Sequence, residues 1–378
     1  MSNLFTRLPV YLSTCQPVYL LTRQLPNPQS MKIISVVGAR PNFMKIAPFI
    51  RAIKEYNKKE QETKSNEQIN HLLVHTGQHY DEAMSETFFK ALGIPEPDIN
   101  LGIGSGTHAE QVGYTMIAFE KVLEKEKPDW VVVVGDVNAT LSCSVAAKKL
   151  HIKVCHIEAG LRSGDEKMPE EINRLVTDRL SDLLLTADKL SIENLRKEGV
   201  PEEKIKFVGN IMIDTLENNR KKASELNISE IINFNLIDNQ FLSHSFIQSF
   251  NHSINQSPDT NLETRNPKPE TQSFALMTLH RPSNVDQKEI LEPIINFLSE
   301  EVTQDMPIIW PIHPRTQKQL QNFGLWDKVK ENKRLILLNP IGYHEMLRLN
   351  MDAKLMLTDS GGLQEECTVL GTPCLTLR

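Results

Sequence analysis

No CxxC spacing occurs in this chain, and its five cysteines (Cys15, Cys143, Cys155, Cys367 and Cys374) are odd in number and widely scattered. That usage argues against a disulfide framework and a structural zinc site, and it points to a reducing cytoplasm. No apolar run reaches the roughly eighteen residues that a membrane-spanning helix needs, so no segment reads as a span. Charge of neither sign is in marked excess: 42 Lys and Arg stand against 48 Asp and Glu, a net charge of -6. A nucleic-acid binder needs a basic footprint that this balance does not provide.

Two stretches are poor in other ways. Residues 1–30 contain no Asp or Glu and only two arginines. They fit either a targeting peptide or an extension upstream of a start at Met31; the sparse Arg and the lack of an amphipathic face favour the extension. Residues 227–272 hold eight Asn, six Ser and four Gln but only two basic side chains. Such a composition buries too little apolar surface to offset ordering entropy, so its centre reads as a disordered insertion near an interdomain junction.

What is present is a regular alternation. "KIISVV" (32–37), "HLLVHT" (71–76), "WVVVVGD" (130–136) and "VCHIEAG" (154–160) read as buried strands. "KIAPFIRAIKEY", "EAMSETFFKAL", "AEQVGYTMIAFEKVLEK" and "NATLSCSVAAKKL" carry apolar residues at helical spacing between them. This predicts a Rossmann-like α/β domain over 31–210 with a parallel sheet. A connecting region over 211–273 follows. A second Rossmann-like series then runs over 274–378, through "FALMTLH", "PIIWPIH", "RLILLNP", "AKLMLTDSGG" and "TPCLTL". The 378 residues suit two such domains, each able to bury its own core.

In open parallel sheets ligands bind beyond the carboxyl ends of the strands. The residues there are "GARPNFMK" with Gly38, Arg40 and Lys45; "GDVNAT" with Asp136; "HIEAGLRSGD" with His156, Glu158 and Arg162; "LHRPSN" with His280; "IHPRT" with His313; and "TDSGGLQEE" with Ser360 and Glu366. Cations and imidazoles suit a diphosphate, and acids suit proton transfer on a neutral part of the same ligand. A nucleotide sugar has both parts. Ser360-Gly361-Gly362 opening a helix would aim N–H groups at phosphate oxygens. Taken alone, that turn serves purely structural helix starts about as often. Asp136 equally suits a cap on the helix near Asn138. Any single histidine is more often a satisfied interior imidazole, whereas three at three strand ends are harder to explain that way.

Taken together and in order, "GARPNFMKIAP", "HTGQHYDEAM", "VVGDVNAT", "HIEAGLRSGD", "MPEEINR", "GN" at 209–210, "LHRPSN", "PIHPRT" and "LTDSGGLQEE" resemble the non-hydrolysing UDP-N-acetylglucosamine 2-epimerases. The resemblance runs from Met31 to Arg378, interrupted only by the polar insertion. It implies a GT-B-like fold, two Rossmann-like domains with parallel sheets facing across a cleft. It also implies a homodimer and interconversion of UDP-GlcNAc with UDP-ManNAc by anti elimination of UDP and re-addition through a 2-acetamidoglucal. A carboxylate base suffices for that chemistry, with no metal and no cofactor.

By motif, Asp136, Glu158 and Glu170 match the family's catalytic acids, with Arg174 and His280 beside them. Arg174 lies four residues after Glu170, so a helix there would pair the two. The resemblance assigns Arg40, Lys45, His313, Ser360, Gly361, Gly362 and Glu366 to the UDP part. A glutamate such as Glu366 accepts the ribose hydroxyls in the GT-B pattern. Gln78, His79 and Met84 resemble a pattern associated with a second, activating UDP-GlcNAc; a polar helix cap explains them equally well.

Two departures from the family pattern carry expectations of their own. Asn42 stands where many members have an acid, which points to a different sugar, such as a 2,3-diacetamido uronic acid. The chain ends at Arg378, before the Thr-Glu-Arg-Pro segment and closing helices of family members. On that ground the chain alone is expected to be poorly stable or inactive. Rival functions are a hydrolysing epimerase that releases ManNAc, a GT-B glycosyltransferase, and a nucleotide-sugar binding protein without turnover.

Overall fold

The computed structural model describes residues 31–38, 40–63, 68–77, 95–237 and 273–377. The extension 1–30, the helix expected around 82–92, Gln78, His79, Met84, and the insertion centre 238–272 lie outside the described residues. Two compact units adjoin in sequence between Thr215 and Leu216.

The first unit is a seven-stranded sheet flanked by helices. Its strands are β1 (Met31–Val37), β2 (Ile69–His75), β3 (Ile99–Asn100), β4 (Trp130–Val134), β5 (Lys153–Ala159), β6 (Leu183–Thr186) and β7 (Ile205–Phe207). All pair in parallel. The intervening helices are α1 (Arg40–Glu62), α2 (His108–Glu126), α3 (Asn138–Lys149), α4 (Pro169–Leu180) and α5 (Lys189–Lys197), and α6 (Ile211–Ser224) follows β7. Every residue of β4, Trp130 to Val134, is buried, as expected of a strand covered on both faces. Val131 and Val133 pack with Ile34, Val36, Phe119, Leu123 and Cys143 on one face.

The second unit holds β8 (Ala275–Thr278), β9 (Ile308–Pro311), β10 (Leu335–Leu338), β11 (Leu355–Thr358) and β12 (Cys374–Thr376), again all parallel. Its helices are α7 (Ile228–Asn235), α8 (Lys288–Phe297), α9 (Pro314–Asn322), α10 (Trp326–Glu331), α11 (Tyr343–Asp352) and α12 (Gly361–Leu370). Alternate strand residues serve opposite faces: Met277, Trp310 and Leu337 join Leu291, Ile295 and Leu320, whereas Leu276, Ile309 and Ile336 join Ile232, Leu349 and Cys367.

Three short strands escape the sequence pattern. β3, β6 and β7 have two to four residues each, too few for a period to declare itself. Helix α1 starts at Arg40, earlier than its apolar spacing indicates, so Asn42 and Lys45 sit on its opening turns. The polar connection also begins in order. Ile228, Ile231 and Ile232 of α7 are buried, and Leu236 bridges antiparallel to Leu338.

Strand order places the chemistry. The first sheet runs β3-β2-β1-β4-β5-β6-β7 and the second β10-β9-β8-β11-β12. Each order reverses once, between β1 and β4 and between β8 and β11, and such reversals open the crevice where α/β sheets bind ligands.

Because Ile232 is fully buried against β9 and β10, Ile232→Ala should cost about 2–5 kcal/mol, read from the denaturation midpoint. An unchanged midpoint would mean that this helix is not part of the core.

Candidate active site

At the first reversal, α1 is clamped between two strand ends. Gly38 N–H donates to Asn42 Oδ1 (3.2 Å), and Asn42 Nδ2 donates to the Val134 carbonyl (3.0 Å). One turn on, Lys45 Nζ lies 2.5 Å from Glu158 Oε2. Glu158 is 7% exposed and has φ of +71°, where the register of β5 against β6 shifts between Ile157 and Ala159. A bulge re-aims a side chain out of the pleat, at a cost of roughly 1–3 kcal/mol for a non-glycine residue in such a conformation. Gly135 turns the chain beside it with φ of +69°. A Cβ there would stand 3.3 Å from Asn42 Nδ2 and 3.6 Å from both Glu158 Oε2 and Lys45 Nζ, so glycine lets the Asp136 turn approach the pair.

Asp136 does not cap α3. Val137 holds that place without a side-chain cap bond. Instead Arg174 Nη1 reaches Asp136 Oδ2 at 2.5 Å, while Arg174 Nε and Nη2 donate to Glu171 Oε2 at 2.9 and 2.6 Å. Glu171 also accepts the N–H groups of Ser163 and Gly164. Burial opposes its charge, but the Ser163 amide, Arg174 and the Gly164 amide outweigh that and hold it down at about 2. The expected Arg174–Glu170 pair is therefore corrected. The guanidinium turns to the buried Glu171 and to Asp136, and Glu170 stays exposed on the first turn of α4.

At the second reversal, the Asp359 carboxylate collects the end of β8. It accepts the N–H groups of His280 (2.8 Å) and Arg281 (2.7 Å) on Oδ2, and Oδ1 lies 2.7 Å from His280 Nδ1. Burial alone would raise Asp359, yet His280 and the Arg281 amide bring it to about 2. The His280 ring, 42% exposed, sits 5.7 Å centroid to centroid from that of His313. Ser360 is the N-cap residue of α12 but makes no side-chain cap bond. A Cβ on Gly361 or Gly362 would meet nothing within 4 Å, so packing within the protein does not require glycine at either position. The two glycines open α12, whose first turn carries the positive end of the helix. Glu366, on the same helix, is 4% exposed, and burial pushes it up to about 7, with Tyr343 pulling the other way.

One sheet thus ends in two imidazoles and a helix opened by glycines, and the other in acids paired with cations. The family model described as UDP-N-acetylglucosamine 2-epimerase matches residues 61–378. The chain belongs to the UDP-N-acetylglucosamine 2-epimerase family. It is 42% identical over 350 residues to the UDP-N-acetylglucosamine 2-epimerase of Methanocaldococcus jannaschii, covering 92% of this chain and 84% of that protein. A crystal structure of the M. jannaschii enzyme in complex with UDP-GlcNAc and UDP superposes with a TM-score of 0.72 at 41% identity, over 92% of this chain and 84% of that one. The UDP-2,3-diacetamido-2,3-dideoxy-D-glucuronate 2-epimerase of Pseudomonas aeruginosa is 37% identical over 348 residues, 92% of this chain and 83% of that protein. The protein is thus an epimerase with a GT-B-like fold of two Rossmann-like domains.

In the epimerase, the expected site residues fall into two groups. Lys45, Asp136, Glu158 and Arg174 gather at the first reversal, and His280, His313, Ser360, Gly361, Gly362 and Glu366 lie at strand ends and on α12 of the second unit. The backbone of Arg40 opens α1, and its side chain lies outside the described residues. Residue type and motif alone do not single out Glu171 and Asp359, although both stand inside the motifs. The signal was positional: Glu171 is three residues before Arg174, and Asp359 immediately follows β11. Among the described residues no helix is long and apolar enough to cross a membrane, and no cluster of three or more His, Cys, Asp or Glu could hold a metal ion.

Removing the Glu171 charge should unsettle Arg174. Glu171→Gln should lower stability at pH 7 by about 1–3 kcal/mol in thermal or denaturant unfolding, and Glu170→Gln should leave it unchanged. The folded pKa is depressed, so the Glu171 contribution is present above the ordinary carboxylate range. The gap between wild type and Glu171→Gln should close as pH falls from about 4.5 toward about 2.

Proposed function

We propose that this epimerase interconverts UDP-GlcNAc and UDP-ManNAc by elimination and re-addition of UDP. The observation that carries the reading is the acid cluster at the β1/β4 reversal, with Glu158 held in a strained bulge against Lys45 and Asp136 held by Arg174. The UDP-GlcNAc and UDP in the M. jannaschii complex support the choice of ligand.

The chemistry follows from charge. The C2 hydrogen of an intact sugar is not acidic, but it becomes so as the C1–O bond to the diphosphate breaks and positive charge grows at C1. A carboxylate among Asp136, Glu158 and Glu170 takes the proton, the bonding pair forms the C1–C2 double bond, and UDP leaves with the C1–O pair. The N–H groups of Gly361 and Gly362, with Ser360, His280 and His313, hold the departing diphosphate. Protonation of the 2-acetamidoglucal at C2 from the opposite face, with return of UDP to C1, completes inversion. His280 presents its outer nitrogen to the diphosphate because Asp359 holds the inner one.

A second reading, a UDP-2,3-diacetamido uronate as substrate, is supported by the P. aeruginosa relative. Asn42 lends it little. That side chain is 2% exposed, and its amide joins Gly38 to Val134.

In heavy water, UDP-ManNAc formed from UDP-GlcNAc should carry deuterium at C2, read by proton NMR. Retained protium at C2, accumulation of free ManNAc, or turnover only with the uronate would each overturn the reading. Glu366 should also make UDP affinity depend on pH. The ionised carboxylate accepts ribose hydroxyls, and the ligand-free group titrates at about 7. UDP affinity measured by calorimetry should therefore fall about tenfold from pH 8 to pH 6, and Glu366→Gln should abolish that slope.

A further inference from the structure

His156 has a place in the structure that the proposed chemistry does not use. It is fully buried in β5, two residues before Glu158. Its Nδ1 lies 2.6 Å from Asp178 Oδ1, and its Nε2 lies 2.8 Å from the Gly135 carbonyl oxygen. A carbonyl oxygen can only accept, so Nε2 carries a hydrogen. Asp178 is engaged on its other oxygen by the Gly160 N–H (3.0 Å) and Arg162 Nη1 (2.8 Å), which favour its ionised form. An ionised Oδ1 facing Nδ1 at 2.6 Å needs a second hydrogen there. The ring is then an imidazolium. Burial works against that charge, but Asp178, the Gly135 carbonyl and Glu158 outweigh it and raise His156 above its ordinary value.

This ion pair touches each segment that carries an acid. Gly135 precedes Asp136 at the end of β4, His156 shares β5 with Glu158, and Asp178 shares α4 with Glu170, Glu171 and Arg174. Gly160 and Arg162 add the loop between β5 and α4, with Arg162 held at its far side by Glu198 (2.7 Å). A buried ion pair is a poor way to gain stability alone, since apolar side chains of similar volume serve as well or better. Directional bonds that fix three backbone segments at once are something apolar packing does not supply.

We propose that His156, buried as an imidazolium paired with Asp178, is a positioning residue that sets the Gly135–Asp136 turn against Glu158 for proton transfer. The inference rests on the epimerase mechanism proposed above, and its first test does not. In nitrogen-15 NMR of the ligand-free enzyme, both ring nitrogens of His156 should be protonated at pH 7; a ring with one protonated nitrogen overturns the assignment. His156→Gln and Asp178→Asn should each lower kcat by about 100-fold, the scale of a 1 Å misplacement. KM should stay within about threefold, and UDP affinity should not change, because the proposed diphosphate grip lies in the other unit. Incorporation of deuterium at C2 should slow in step with kcat. Folded variants that keep wild-type kcat would overturn the role. If the variants do not fold, the ring signals of the unaltered enzyme still decide the charge. An unaltered enzyme that fails to exchange the C2 hydrogen would strike the reading of function and leave the ring measurement standing.

Discussion

Two neighbouring parallel strands whose crossovers leave in opposite directions cannot cover the space beyond their own carboxyl ends, and each sheet of this protein contains one such pair. The rest of the site follows from that constraint. At β1/β4 the gap is kept in shape by Asn42, which joins the ends of the two strands through its amide. At β8/β11 Asp359 does the same work with a carboxylate, drawing in two consecutive backbone N–H groups and one imidazole. Both devices are buried polar groups with their bonding capacity largely used by backbone, which is how a loop beside a ligand is held without filling the ligand's space.

The two gaps differ in electrical character. The first is built from opposite charges in contact, Lys45 with Glu158 and Arg174 with Asp136 and Glu171, so cations limit the mutual repulsion of the acids. The second relies on helix N–H groups, two imidazoles and one buried acid, Glu366, that titrates near neutrality. A helix start offers fixed N–H donors without a mobile counter-charge.

Much of this is legible in the sequence. The alternation of buried β-branched runs with amphipathic helices gave two parallel-sheet domains, because a strand covered on both faces must be apolar throughout, as β4 is. Strand-end positions led to Asp136, Glu158, His280 and Ser360 for the same geometric reason. Partners were less readable. Spacing along α4 paired Arg174 with Glu170, since i and i+4 share a helix face. The arginine instead follows the buried Glu171 and the incoming Asp136 turn, which lies after β4 and 38 residues away in sequence. The His156–Asp178 pair was hidden for a similar reason: a strand residue and a helix residue 22 positions apart meet only through the packing of α4 on β5. Composition also hides the ordered start of the polar stretch, where three isoleucines suffice to dock one short helix.

Glu158 is the one acid of the cluster whose backbone is itself strained. Glycine would accept that left-handed φ without steric objection. At this position backbone energetics and proton chemistry therefore favour different residues. Lineages screened for heat resistance alone would drift toward glycine and shed the carboxylate on the way. On the proposed mechanism, demand for turnover keeps a glutamate there against that backbone preference.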